Sequence, residues 1–92
     1  MEQGETSVAR LKRMTMRSWR RGTKEMDLIL GPFADEALSQ LSGADLAIYD
    51  QVLEQNDQDL LPWILGQNPA PQALSAMIER IGRAARSRLA RG

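Results

Sequence analysis

Three groups of side chains in this sequence have types and spacings that chemistry could use. Asp57 and Asp59 follow Glu54 in the stretch "LEQNDQDLLPW", and Asp35 stands beside Glu36; paired carboxylates can hold a metal ion or share a proton transfer. Arg10, Arg13, Arg17, Arg20 and Arg21 recur at helical spacing, a band able to bind phosphate, an acidic protein surface or an anionic membrane. The stretch "RSWRRGTKEMD", residues 17–27, closes a basic run with Gly22 and reverses its charge within three residues.

The first group loses its chemistry on inspection. A calcium loop of the EF-hand type needs more oxygen ligands at fixed offsets, with a glycine at the sixth position and a closing glutamate, and these are missing around Asp57. Helix capping explains Asp57 and Asp59 better. The chain contains no cysteine and no histidine, which removes thiolate nucleophiles, imidazole bases and nearly all zinc or haem ligation. No glycine pattern cradles a phosphate, and Lys24 has no partners that would make it an active-site base. The expectation is a protein that is not an enzyme, with no metal site and no catalytic residue.

Charge is sorted along the chain. Residues 10–24 carry seven bases and no acid, residues 25–59 nine acids and no base, and residues 79–92 five arginines against one glutamate. The formal net charge is zero. Opposed basic and acidic areas suit a protein partner, whereas a phosphate-binding module is ordinarily basic overall. No apolar run approaches the roughly 20 residues of a membrane span, and "MEQGETSVAR" lacks the basic start and apolar core of a secretion signal. These features predict a protein that stays in solution inside the cell, without membrane insertion.

Ninety-two residues, 42% of them hydrophobic, fit one small domain over 1–92, with 1–7 and 90–92 expected to fray. Leucine, alanine, glutamine, arginine and methionine dominate, and no stretch alternates as a strand would, so the fold class is all-α, a compact bundle of about five helices. Helix one starts after Thr6 or Ser7 and runs to Arg21, with Val8, Leu11, Thr15 and Trp19 on its apolar side and the arginines opposite. A second starts near Thr23 or Lys24 and reaches Leu41, with a kink or restart at Gly31-Pro32. Ser42 caps a third that ends near Asn56. A short fourth opens at Asp57 or Asp59 and stops at Gly66, and a fifth takes Pro71 in its first turn. Its stripe is Leu74, Met77, Ile78, Ile81, Ala85 and Leu89, while several of its arginines face water. On this frame Arg21 and Glu25 complement the dipoles of the two helices that Gly22 joins.

The same residues resemble a known family. Arg21-Gly22-Thr23-Lys24-Glu25 fits the RGxxE motif of the succinate dehydrogenase assembly factor 2 family, whose bacterial members are called SdhE. "RRGTKEMDLILGPFADEAL" is similar to that family's RRGxxELDxxLxxF segment, and "LEQNDQDLLPWIL" to its LExxDxDLxxWL segment. The resemblance covers most of residues 10–65. Thr23, Met26 and Pro62 depart from the usual residues at their positions.

The resemblance implies a small five-helix protein that assists covalent attachment of FAD to the flavoprotein subunit of succinate dehydrogenase, and in bacteria also of fumarate reductase. It implies that Arg21, Gly22 and Glu25 meet the flavoprotein, with Arg17, Arg20, Lys24 and Asp27 beside them, Arg21 contacting a partner carboxylate or carbonyl and Glu25 accepting from a partner donor or orienting Arg21. Trp63, Asp57 and Asp59 match the second segment and are expected to be structural. FAD would end on a histidine of the partner, with no cofactor held permanently by this chain, which has no histidine of its own. A monomer is expected, in the bacterial cytoplasm, or in the mitochondrial matrix if a presequence has been removed. Two readings of the basic first helix stay open beside this one: a nucleic-acid-binding module and an antitoxin-like partner of a membrane toxin.

Overall fold

The computed structural model describes residues 6–91, and the side chains of residues 6–90. Five α-helices carry the chain: α1 Ser7–Trp19, α2 Lys24–Ala37, α3 Gly43–Leu53, α4 Asp57–Ile64 and α5 Gln72–Arg91, with a 3-10 turn at Leu38–Gln40. No strand occurs among the described residues. The all-α expectation therefore holds, and its local signals explain most of the boundaries. Thr6, Thr23 and Ser42 precede their helices in extended conformation, and each side-chain oxygen accepts from the backbone N–H three residues on, satisfying a donor the helix itself leaves open. Gly66, at φ 78°, ends α4: its N–H reaches the Trp63 carbonyl at 3.2 Å and that of Gln67 reaches Pro62 at 2.8 Å, the paired bonds of a left-handed helix stop.

Several boundaries differ from expectation. Helix α1 stops at Trp19, two residues before Arg21, because Gly22 takes φ 109° and the Arg21 N–H turns to the Asp27 carboxylate at 2.6 Å. Helix α2 continues through Pro32 without a restart; buried Leu30, Phe33 and Ala34 hold both halves to the core, which outweighs the bond that proline withholds from the carbonyl four residues earlier. Leu41 lies beyond α2, in extended conformation after the 3-10 turn. Asn56 belongs to the start of α4, not to the end of α3, and Pro71 sits one residue ahead of α5. Of the ends expected to fray, residues 1–5 and 92 lie outside the described residues, Thr6 and Ser7 form the cap and first residue of α1, and 90–91 are within α5.

The core gathers Met14 from α1, Met26, Leu30 and Phe33 from α2, Tyr49, Val52 and Leu53 from α3, Leu60 and Ile64 from α4, and Leu74, Met77, Ile78 and Ile81 from α5. The inner side of α1 is thus Met14 and Ser18, with the expected Leu11 packed at its edge, whereas Val8 is 77% exposed. Ser18 is buried because its hydroxyl donates to the Met14 carbonyl at 2.8 Å and shares a 2.6 Å bond with the Tyr49 hydroxyl; burial pushes the Tyr49 phenol up to about 12. Trp19 lies flat on α2 instead of entering the core. A Cβ on Gly31 would come within 2.5 Å of its ring, and its indole N–H reaches the Asp35 carboxylate at 3.2 Å. Glycine at 31 is there for this close approach, not as a helix breaker. In α5, Leu89 is 81% exposed, so the buried stripe ends before it.

Candidate docking site at the Arg21 to Glu25 turn

The basic side of α1 is not one free band, although Arg20 beyond its end stays exposed. Arg13 and Arg17 of α1, and Arg21 just beyond it, meet Asp50 of α3, Glu54 at its end and Asp57 of α4 in order, so that α1 and α3 run side by side in the same direction. Arg13 makes two bonds to Asp50, at 3.0 and 3.1 Å. Arg17 reaches Glu54 at 2.7 Å and the Leu53 carbonyl at 3.1 Å. Arg21 is the most enclosed: its Nε and Nη2 lie 2.9 and 2.8 Å from Asp57 Oδ1, and it donates to the carbonyls of Leu53 and Gln55 at 2.7 Å each. Side-chain exposure is 8% for Arg21 and 20% for Asp57. A guanidinium with charge and carbonyl partners on all sides is worth more than an exposed pair.

The electrostatics follow the contacts. The hydrogen bonds from Arg13 hold the Asp50 carboxyl below the usual carboxylate range, against the smaller opposing effect of burial. Asp57, expected as a helix cap, sits in the first turn of α4 and balances Arg21. It joins the two segments that carry the family resemblance.

What remains open to an incoming molecule is the turn itself. Gly22, Thr23, Lys24 and Glu25 are all exposed, and a Cβ at Gly22 would meet nothing within 4 Å. Arg20, Lys24 and Glu25 have no ion-pair partner among the described residues. Asp27 faces inward as the acceptor for the Arg21 N–H. Beside the turn, Arg21, Thr23 and the α3–α4 connection from Gln55 to Gln58 enclose an open depression of about 400 Å³. Asp59 is exposed on α4, and Trp63 is half-buried against the core. Sequence reasoning missed Asp50 and Glu54 as partners of the arginines, although the spacing 13, 17, 21 and 50, 54, 57 carried the signal.

Comparison with known proteins gives the chain its family. The family model described as flavinator of succinate dehydrogenase matches residues 12–85, which includes the turn, the three arginines and all three acids. The chain belongs to that family. It is 41% identical over 63 residues to the FAD assembly factor SdhE of Haemophilus ducreyi, covering 67% of this chain and 77% of that one. It is 34% identical over 68 residues to the FAD assembly factor SdhE of Shewanella oneidensis, covering 72% and 83%. A mitochondrial succinate dehydrogenase assembly factor 2, from Schizosaccharomyces pombe, is 38% identical over 68 residues, covering 74% of this chain and 49% of its own length. The chain thus spans about half of that mitochondrial relative. No described helix is long and apolar enough to cross a membrane.

Proposed function

We propose that this protein is a non-catalytic assembly factor that binds the flavoprotein subunit of succinate dehydrogenase and promotes covalent attachment of FAD to it. The observation that carries the reading is an exposed turn, Gly22 to Glu25, held rigidly by an enclosed arginine at its base. A docking loop whose shape is fixed beforehand loses little entropy when a partner seats on it. In this reading Gly22, Thr23 and Glu25 touch the flavoprotein, with Arg20 and Lys24 flanking them, and Arg21 acts chiefly by shaping the turn. That revises the direct Arg21 contact implied by resemblance, since its guanidinium already has four internal contacts.

The chain contributes geometry to the reaction. The flavin supplies the electron sink for bond formation at its 8α-methyl carbon, and the flavoprotein supplies the histidine. With no histidine or cysteine, this protein assists by favouring the flavoprotein conformation in which those two groups are aligned. The reading places it as a monomer in the bacterial cytoplasm, or in the matrix if the chain is mitochondrial.

Purified apo-flavoprotein, FAD and this protein, followed by in-gel fluorescence of covalent flavin, test the proposal. Glu25→Ala and Gly22→Arg are expected to reduce flavin yield at least severalfold while both variants stay folded. Undiminished yield with both would refute it, and the flavoprotein of fumarate reductase in the same assay decides whether it is a second client.

A further inference from the structure

Helix α1 has an outer face that neither the core nor the arginine–acid pairs use. Val8, Lys12, Met16 and Trp19 follow one another at steps of four, four and three residues, which sets them in one row along the helix. All four are exposed, Val8 at 77%, Met16 at 43% and Trp19 at 37%. Leu28, 53% exposed, stands one turn of α2 before Gly31, the residue on which the Trp19 ring lies. The expected apolar side of α1 thus divides: Leu11 packs against the core, while Val8 and Trp19 remain in water. Charge here is uncompensated as well. Lys12 within the row, and Arg20 and Lys24 where the chain leaves it, have no ion-pair partner among the described residues.

We propose that this face of α1 rests on an anionic lipid bilayer, with Val8, Met16 and Trp19 seated among the headgroups and Lys12, Arg20 and Lys24 on lipid phosphates. The contact is peripheral, lying on the surface without crossing it. Three observations select lipid over an acidic protein. Lys12 stands between Val8 and Met16: in the middle of a protein interface its strongly hydrated ammonium would have to shed water, whereas at a bilayer its stem lies along the apolar row and its head turns to phosphate. The row is a convex helix ridge whose methionine and lysine side chains are flexible, and a fluid headgroup layer conforms to such a ridge. The Trp19 ring can leave bulk water without stranding its N–H, because the Asp35 carboxylate accepts it at 3.2 Å. That carboxylate also holds the contact at headgroup depth, since a charge is costly any deeper. The formal net charge is zero, so attraction to an anionic surface has to come from this local face and not from the molecule as a whole. The proposal does not rest on the assembly-factor reading, and its test contains no flavoprotein.

The full-length protein is sedimented in low salt with vesicles of phosphatidylglycerol and phosphatidylcholine in equal parts, and with vesicles of phosphatidylcholine alone. The parent should partition into the anionic vesicles about tenfold more strongly, and about 500 mM salt should remove the difference. Lys12→Ala should weaken partitioning about fivefold, the effect of one cation at such a surface, and Met16→Gln severalfold. Leu65→Gln, at an exposed leucine just past α4, should leave it unchanged. In a Trp63→Phe background, Trp19 emission should shift to the blue on anionic vesicles and be quenched by lipids brominated near the headgroup; sedimentation keeps both tryptophans and decides the matter if that background misfolds. Equal partitioning into both vesicle types, or none into either, overturns the proposal, as does partitioning that Lys12→Ala and Met16→Gln both leave within a factor of two of the parent. Binding to soluble polyglutamate that Lys12→Ala weakens, with Trp19 emission unmoved by anionic vesicles, would assign the face to an acidic protein and overturn the lipid occupant.

Discussion

Arg21 and Glu25 are four residues apart, and their environments give them opposite experimental signatures. Removing the Arg21 side chain strands the Asp57 carboxylate, takes from the Gln55 carbonyl its side-chain donor, and leaves the Leu53 carbonyl with Arg17 alone. Arg21→Ala should therefore lower unfolding stability by about 3 kcal/mol, as for other broken enclosed pairs, read as a drop in the urea midpoint at unchanged slope. Glu25 is exposed in the first turn of α2, and Glu25→Ala should move stability by no more than about 0.5 kcal/mol while flavin yield falls. If instead Arg21→Ala unfolds at the parent's urea midpoint, the shaping role given to Arg21 is wrong. In the proposed reading the motif therefore divides into a residue that builds and a residue that meets, a division that identity alone cannot reveal because both are charged and one helical turn apart.

At the scale of helices, the pairing of α1 with α3 makes stability depend on pH. The folded state lowers the proton affinity of Asp50. Its contribution is present above the unfolded carboxyl value of about 3.9 and is lost as pH falls through the lower folded value. The stability difference between the parent and Asp50→Asn should thus be full at neutral pH and shrink toward zero in strong acid, in urea titrations at matched pH. A difference that stays constant into acid would exclude the pair. Helix starts were legible here because capping is local: Thr6, Thr23 and Ser42 show in sequence what they do in space. Pro32 was misleading because a helix packed on both sides of a proline can tolerate it. The inner side of α1 was read correctly at Leu11 and missed at Met14 and Ser18, because Ser18 enters the core through Tyr49, thirty-one positions away, and no local pattern records that contact.

For the whole molecule, zero net charge conceals an uneven use of charge. The arginines at 13, 17 and 21 are matched to acids across the fold, while Arg20 and Lys24 at the turn are unmatched among the described residues. Binding to the flavoprotein should weaken as salt rises from about 50 mM to 500 mM, where screening shortens to a few ångströms, and Arg20→Ala with Lys24→Ala should flatten that response. An affinity of the parent that ignores salt would exclude these two cations from the contact. The exposed turn itself was readable in the sequence through Gly22 and the charge reversal around it. Which of its side chains face outward was not, because that depends on Asp57, whose distance along the chain hides its place beside Arg21.

The three arginine–acid pairs share nearly one offset: 37 residues for Arg13–Asp50 and Arg17–Glu54, and 36 for Arg21–Asp57. If α1 slid one turn along α3, Arg17 would find Asp50 and Arg21 would find Glu54, so the two outer pairs discriminate poorly against the slip. The last rung does not forgive it: Asp57 would be left enclosed and unmatched, and Arg13 would face Leu46. The arginine that opens the exposed turn thus also serves as the register lock of the bundle, so alignment of the helices and shape of the turn stand or fall together.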